Sequence, residues 1–269
     1  VTGRQSLASG EYMDVESFLE SVQAGPGRPD NQEAFDDYFE RDRASWYGAG
    51  CATGKDVLQL VRNGWPDGSK MVAELLEKTT AATAVPLDRR RRLVRTDQGD
   101  SLDIHSVYRG QLDRAWTRAV RKTTRGPQRV SILANMLCSG LDAAAVLAWR
   151  GAAAVAIADR LTASGYQVRI VVGFGGQCRG ETVSCRITVK DHGSPLDEAT
   201  AAAVTCPGFF RALGHAWTAG HHPRNISSPS MSVAQCSIEP DEIVLSHEIK
   251  DERTAVAAID STIGRVNAV

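Results

Sequence analysis

The sequence is poor in the features that mark many specialised classes. No apolar run approaches the roughly 20 residues that span a bilayer, so a membrane-embedded chain is excluded at this level. The first 30 residues hold acids and glycines, with no basic stretch leading into an apolar one, and so show no secretory signal pattern. The six cysteines, Cys51, Cys138, Cys178, Cys185, Cys206 and Cys236, form no C-x-x-C pair. That spacing argues against a zinc ribbon and a disulfide scaffold, and for free, mostly buried thiols in a reducing, cytoplasmic setting. Aromatic residues amount to 6% and the net charge is −1 over 269 residues. What remains, 42% apolar and 23% charged, is the composition of an ordinary folded chain.

The charge is near zero in sum but segregated. Residues 1–87 carry 8 Lys/Arg against 14 Asp/Glu, residues 88–129 carry 12 against 5, and residues 130–269 carry 11 against 13. An acidic front, a basic middle and a near-neutral rear suggest three regions: 1–87 acidic and helical, 88–128 a basic connector, and 129–269 an α/β domain. The basic middle is the natural candidate for a polyanion partner.

Residues 1–10 are small and polar and read as frayed. Asp14 predicts the cap of a short helix through Phe18, Leu19 and Val22, ended by Gly25-Pro26-Gly27. Further short helices are predicted at Phe35–Phe39, from Thr53, and behind a Ser69 cap. Leu93-Val94 and Leu102–His105 read as two strands joined at Gln98-Gly99-Asp100, and Gly110–Arg121 as a helix. From residue 129 the rhythm becomes strand, alanine-rich helix (142–164), strand (166–172), strand (182–190), broken helix (196–217), strand (243–245) and final helix (254–266). Such alternation predicts a three-layer, mostly parallel sheet covered by helices.

In an open α/β sheet, ligands gather at the carboxyl ends of the strands. Those ends supply Asn135, Ser139, Lys190, Asp191 and His192 as pocket-lining candidates. Pairing Cys138 or Ser139 with His192 or His247 would be the nucleophilic option, but no G-x-S-x-G elbow accompanies them. Gly173-Phe174-Gly175-Gly176 fits neither G-x-G-x-x-G nor a P-loop and reads as a turn. Gly48 to Lys55 imitates a P-loop, yet Asp56 stands where a hydroxyl is needed and would repel phosphate, so a helix cap is the better reading. His215, His221 and His222 are the metal candidates. Adjacent loop histidines diverge and no third ligand lies nearby, which favours surface histidines and no metal. Arg89, Arg90, Arg91 and Arg92 form a continuous run. Arg114, Arg118, Arg121 and Lys122 follow at spacings that would align them on a helix and let them track phosphates. The alternative is that these arginines dock against Asp30, Glu33, Asp36, Asp37, Glu40 and Asp42.

The layout of the rear half, with Asn135-Met136-Leu137-Cys138-Ser139 behind its first strand, resembles a von Willebrand factor A-like (Rossmannoid) domain. That family ends this strand in Asp-x-Ser-x-Ser. Here the final serine alone matches, so the resemblance implies the scaffold without its metal site, since an amide brings no charge to a hard cation. Short motifs across the chain resemble an uncharacterised family of phage and mobile-element proteins carrying such a degenerate domain. They are Asn63-Gly64-Trp65, Asp103 with Tyr108-Arg109-Gly110, Trp116, Arg150-Gly151-Ala152-Ala153, and Lys190 with Pro195-Leu196-Asp197. This resemblance implies a virion or host-cytoplasm setting and no defined reaction. The resulting expectation is a non-enzymatic binding or structural protein acting on a protein partner through its surfaces, without a cofactor or a membrane. Nucleic-acid binding by the basic block, or an enzyme using the strand-end pocket, are the alternatives; the oligomeric state is left open.

Overall fold

The computed structural model describes residues 7–79, 89–123, 128–137, 142–178, 181–221, 232–233, 238–245 and 248–267. They fall into two compact units, one built from residues 1–84 and 129–269, the other from 85–128. In the first unit β1 (Leu7–Tyr12) leads into α1 (Val15–Gln23), α2 (Gln32–Phe39), α3 (Ala44–Tyr47), α4 (Gly54–Asn63) and α5 (Pro66–Lys78). The second unit holds β2 (Arg89–Thr96), β3 (Ser101–Leu102), α6 (Ile104–Tyr108) and β4 (Trp116–Thr123). The first unit then resumes with β5 (Arg129–Asn135), α7 (Ala144–Ala163), β6 (Gln167–Cys178), β7 (Glu181–Lys190) and α8 (Glu198–Thr205). A π-helical turn, Phe209–Gly214, runs into α9 (His215–His221), followed by β8 (Ser232–Val233), β9 (Glu242–Leu245) and α10 (Glu252–Asn267).

The main sheet has the order β1-β7-β6-β5-β9, with β8 on β6. The pairs β1/β7, β5/β6 and β5/β9 are parallel, while β6/β7 and β6/β8 are antiparallel. The fold is therefore α/β with a mostly parallel sheet. Ile132 and Ala134 of β5, Val168, Ile170 and Val172 of β6, and Cys185 and Ile187 of β7 join the helices in one core. Leu133 and Val171, with Val244, form a separate small cluster. Among the described residues no helix contributes to it, whereas the sequence rhythm predicts helices on both faces. Beside that cluster the same face carries ions: Arg186 bonds Glu242 and Glu239, and Arg169 donates to Thr188 Oγ1 at 3.0 Å.

Helix α7 is buried nearly all round, which is why its sequence shows small apolar residues on every side rather than a stripe. Its Gly151 lies against the backbone of α8, where an added Cβ would meet Val204 O at 2.0 Å. The helix starts follow side-chain chemistry. Asp14 accepts from Ser17 N, Thr53 and Asp56 form a capping box on α4, and Asp197 accepts from Thr200 N. The P-loop-like run before α4 is thus a turn and cap. No helix of the described residues is long and apolar enough to cross a membrane.

Several sequence expectations are corrected. Residues 7–12 are an edge strand and not a frayed end, because β7 offers them a parallel ladder. Helix α5 begins at Pro66, whose missing N–H suits a first turn, rather than behind Ser69. Gly173–Gly176 continue β6 and are not a turn. Phe174, opposite Cys185, anchors them in the core. In the second unit Asp103 caps α6 where a strand is predicted, and residues 116–123 form β4 where a helix is predicted. The β-branched Thr117, Val120 and Thr123 favour a strand, and β2 and β3 both pair with β4 rather than with each other.

Candidate functional site

At the carboxyl end of β5, Asn135 Oδ1 accepts from Leu137 N at 3.1 Å and so folds the chain into a tight polar turn. Arg150 on α7, 1% exposed, donates through Nη1 to Asn135 O at 2.6 Å and Leu137 O at 2.7 Å. A fixed guanidinium charge therefore stands at the turn that follows β5, and a cation placed beside it would be repelled. Ser139 and Cys138 lie outside the described residues.

The expected strand-end pocket does not assemble. Because β7 runs antiparallel to β6, its carboxyl end lies beside the start of β6. Lys190 Nζ donates to Val168 O at 2.7 Å, and His192 Nδ1 lies 2.9 Å from Gln167 O. Gln167 is in register with Arg129, the first residue of β5, whereas Asn135 is the last. Six residues of strand separate these levels by about 20 Å. Lys190, Asp191 and His192 are thus brought together, and Asn135 stands at the opposite end of the sheet. Lys190 and Asp191 do line a groove of about 430 Å³ beside α1 and α4, but Asn135 and His192 do not. Burial lowers the Lys190 pKa from the ordinary lysine value. Its ammonium is satisfied by carbonyls, with Asp191 O as a second acceptor at 3.2 Å. His247 falls outside the described residues.

His215 and His221 are not surface loop groups either. His215 stacks on Tyr38 at 5.1 Å and lies 4.8 Å from Phe210 and 5.3 Å from Trp46. Burial, with the Arg211 and Arg43 charges, lowers its pKa to about 3. His221 stacks on Trp217 at 4.7 Å, with Nδ1 2.9 Å from Trp217 O. His222 is outside the described residues. Among the described residues no group of three or more His, Cys, Asp or Glu could hold a metal.

The basic block has a defined geometry. Strands β2 and β4 pair antiparallel, with Arg90 opposite Lys122, Arg91 opposite Arg121, Arg92 opposite Val120 and Arg89 opposite Thr123. Like charges placed directly across a ladder destabilise it. Alternation along the two strands divides eight cations into two sets of positions. Arg90, Arg92, Arg118 and Lys122 form one; Arg89, Arg91, Arg95 and Arg121 form the other. Arg95 meets Asp103 at 3.3 Å. Arg118 is exposed, and so is Arg114, which lies off the ribbon next to Asp113 at 3.8 Å. Since β4 is not a helix, the helical alignment of Arg114, Arg118 and Arg121 is replaced by this ribbon. Of the acids of the front region, Asp37 pairs with Arg41 and Arg43, and Glu40 with Lys55 at 2.7 Å.

Sequence reasoning missed two features. Arg150, Arg186 and Arg211 are buried and hold loops and carboxylates in place, though nothing in their local sequence separates them from surface arginines. Leu102, Ile104, Val107, Tyr108 and Leu112 are exposed. Their crowding into eleven residues was a signal available from the sequence.

No curated protein and no solved structure matches the chain. Residues 4–255 match a family described as a domain of unknown function, DUF7192, and the protein belongs to that family.

Proposed function

We propose that this is a non-enzymatic binding protein that holds the phosphate backbone of a nucleic acid on its β2–β4 ribbon. The observation that carries the reading is the pairing of Arg90 with Lys122 and Arg91 with Arg121 directly across the ladder. Such an arrangement costs stability in the isolated chain and is relieved when an anion of closely spaced phosphates neutralises it. Within this reading the rear sheet is a von Willebrand factor A-like scaffold. The β5–α7–β6 order supports that, and Arg150 supplies the positive charge that a metal would otherwise bring. A phage or mobile-element origin, implied by the short motifs, would place such a protein beside nucleic acid. The enzyme reading loses its support because its polar groups do not converge.

The test is a full-length variant carrying Arg90→Gln, Arg91→Gln, Arg121→Gln and Lys122→Gln, titrated against a fluorescein-labelled oligonucleotide at low salt. Affinity is expected to fall by at least about tenfold, while the melting temperature holds or rises because two repulsive pairs are gone. A parent chain that binds no oligonucleotide, or a variant that binds as tightly as the parent, overturns the proposal.

A further inference from the structure

The unit of residues 85–128 displays its apolar side chains outward. Of the seven large hydrophobic residues that are exposed among the described residues, five lie here: Leu102, Ile104, Val107, Leu112 and Tyr108, the last 84% exposed. Two polar side chains of the same stretch, Asp103 and Ser106, are drawn in and satisfied. Asp103 accepts from His105 N at 3.1 Å and Ser106 Oγ at 2.9 Å, and Asp103 N donates to Ala115 O at 2.6 Å. Gln111 N donates to Ser106 O at 2.9 Å, after Gly110 turns the chain at φ +73°. Ser106 and Ala115 are the buried floor. A hydrogen-bonded frame thus presents an apolar, aromatic surface to solvent, an arrangement that marks interaction sites.

The charge of the unit selects the occupant. Residues 85–128 hold 11 Lys/Arg against 5 Asp/Glu, so a second copy of the same unit would bring like charge against like charge. A polyanion is attracted instead. A duplex offers phosphates but keeps the faces of its bases stacked inside, leaving the apolar surface without a counterpart. A single strand offers both a charged backbone and free base faces.

We infer that the ligand of this unit is a single-stranded nucleic acid, with Tyr108 as a base-stacking platform flanked by Ile104 and Leu112. The inference rests on the phosphate-binding reading of the ribbon and adds a second contact to it. Arg109, next in sequence, adds a cation beside the stacked base.

Three labelled oligomers of about 20 nucleotides separate the two claims: oligo(dT), an abasic phosphodeoxyribose strand of equal length, and a duplex. The full chain is titrated with each, as are Tyr108→Ala and Tyr108→Phe. Oligo(dT) is expected to bind roughly tenfold tighter than the abasic strand. Tyr108→Ala should bring oligo(dT) down to the abasic level without changing abasic binding, and Tyr108→Phe should retain the difference. Equal affinity for oligo(dT) and the abasic strand overturns the stacking site and leaves the ribbon standing. Tighter binding of the duplex overturns the single-strand assignment. Binding of none of the three overturns ribbon and platform together. A dimer in sedimentation that Tyr108→Ala dissociates would give the surface to a second copy instead.

Discussion

The ribbon geometry fixes how binding should respond to salt. Each Lys or Arg that neutralises a phosphate releases counterions, so log K falls with log salt at a slope of about −0.7 per contact on a single strand. The β2/β4 register divides eight cations into two sets of four positions. A strand held against one set makes about four contacts, giving a slope of about −2.8 and a loss of roughly 50-fold between about 50 and 200 mM NaCl. The set of Arg90, Arg92, Arg118 and Lys122 is favoured, because in the other Arg95 already meets Asp103. Arg90→Gln with Lys122→Gln should therefore halve the slope to about −1.4, leaving roughly a sevenfold loss over the same range. The matched control, Arg91→Gln with Arg121→Gln, should leave the slope unchanged. Fluorescence anisotropy across a salt series reads both. A parent slope shallower than about −1, or a slope that neither double variant alters, would refute the reasoning.

Other predictions concern the scaffold. Arg150→Ala removes two charge-assisted hydrogen bonds to buried carbonyls, at a cost of about 3–5 kcal/mol and a fall in melting temperature on the order of 10 °C. A drop under about 3 °C would show the guanidinium to be dispensable, and Arg150→Lys should recover part of the loss. Gly151→Ala gains up to about 1 kcal/mol of helix propensity, yet drives a methyl into the Val204 backbone. It should lower the urea midpoint, and an increase would contradict the α7–α8 contact. His215 stays neutral in the folded chain down to about pH 3, whereas in the unfolded chain it takes its proton near 6.5. Stability should be complete above that upper value and decline by up to about 1.4 kcal/mol per pH unit as the pH falls toward 3. His215→Phe should flatten the decline between pH 6 and 4.5, well above the range where the lowered carboxyls of Asp37 and Asp56 titrate. A profile identical to the parent's would place the imidazole in water.

Much of the fold was legible because its signals are local. The apolar run at Val130–Ala134, the alanine-rich helix and the Asp14 and Thr53 caps each act within a few residues. The site was harder to read, for a topological reason. Assigning Lys190 and Asn135 to one end of the sheet requires every strand to run the same way. The direction of β7 appears only in its antiparallel pairing with β6, and the residue types at the strand ends do not record it. The ribbon was misread for a similar cause. Arginines suit helix and strand alike, so the pairing of β2 with β4, a contact across some 30 residues of sequence, decides the matter, and no local propensity records it. Leu7–Tyr12 looked frayed because its polar, glycine-containing sequence becomes a strand through the ladder that β7 provides.

That last ladder has a temporal consequence. The chain is made from its amino end, and Tyr12 pairs with Ile187, so the first strand must wait for most of the protein to emerge before it finds its neighbour. The ribbon, whose contacts close within residues 89–123, can assemble much earlier on the ribosome. A nascent chain in which residue 123 has just cleared the ribosome should thus already present the arginine ladder, while the main sheet is still an unpaired thread.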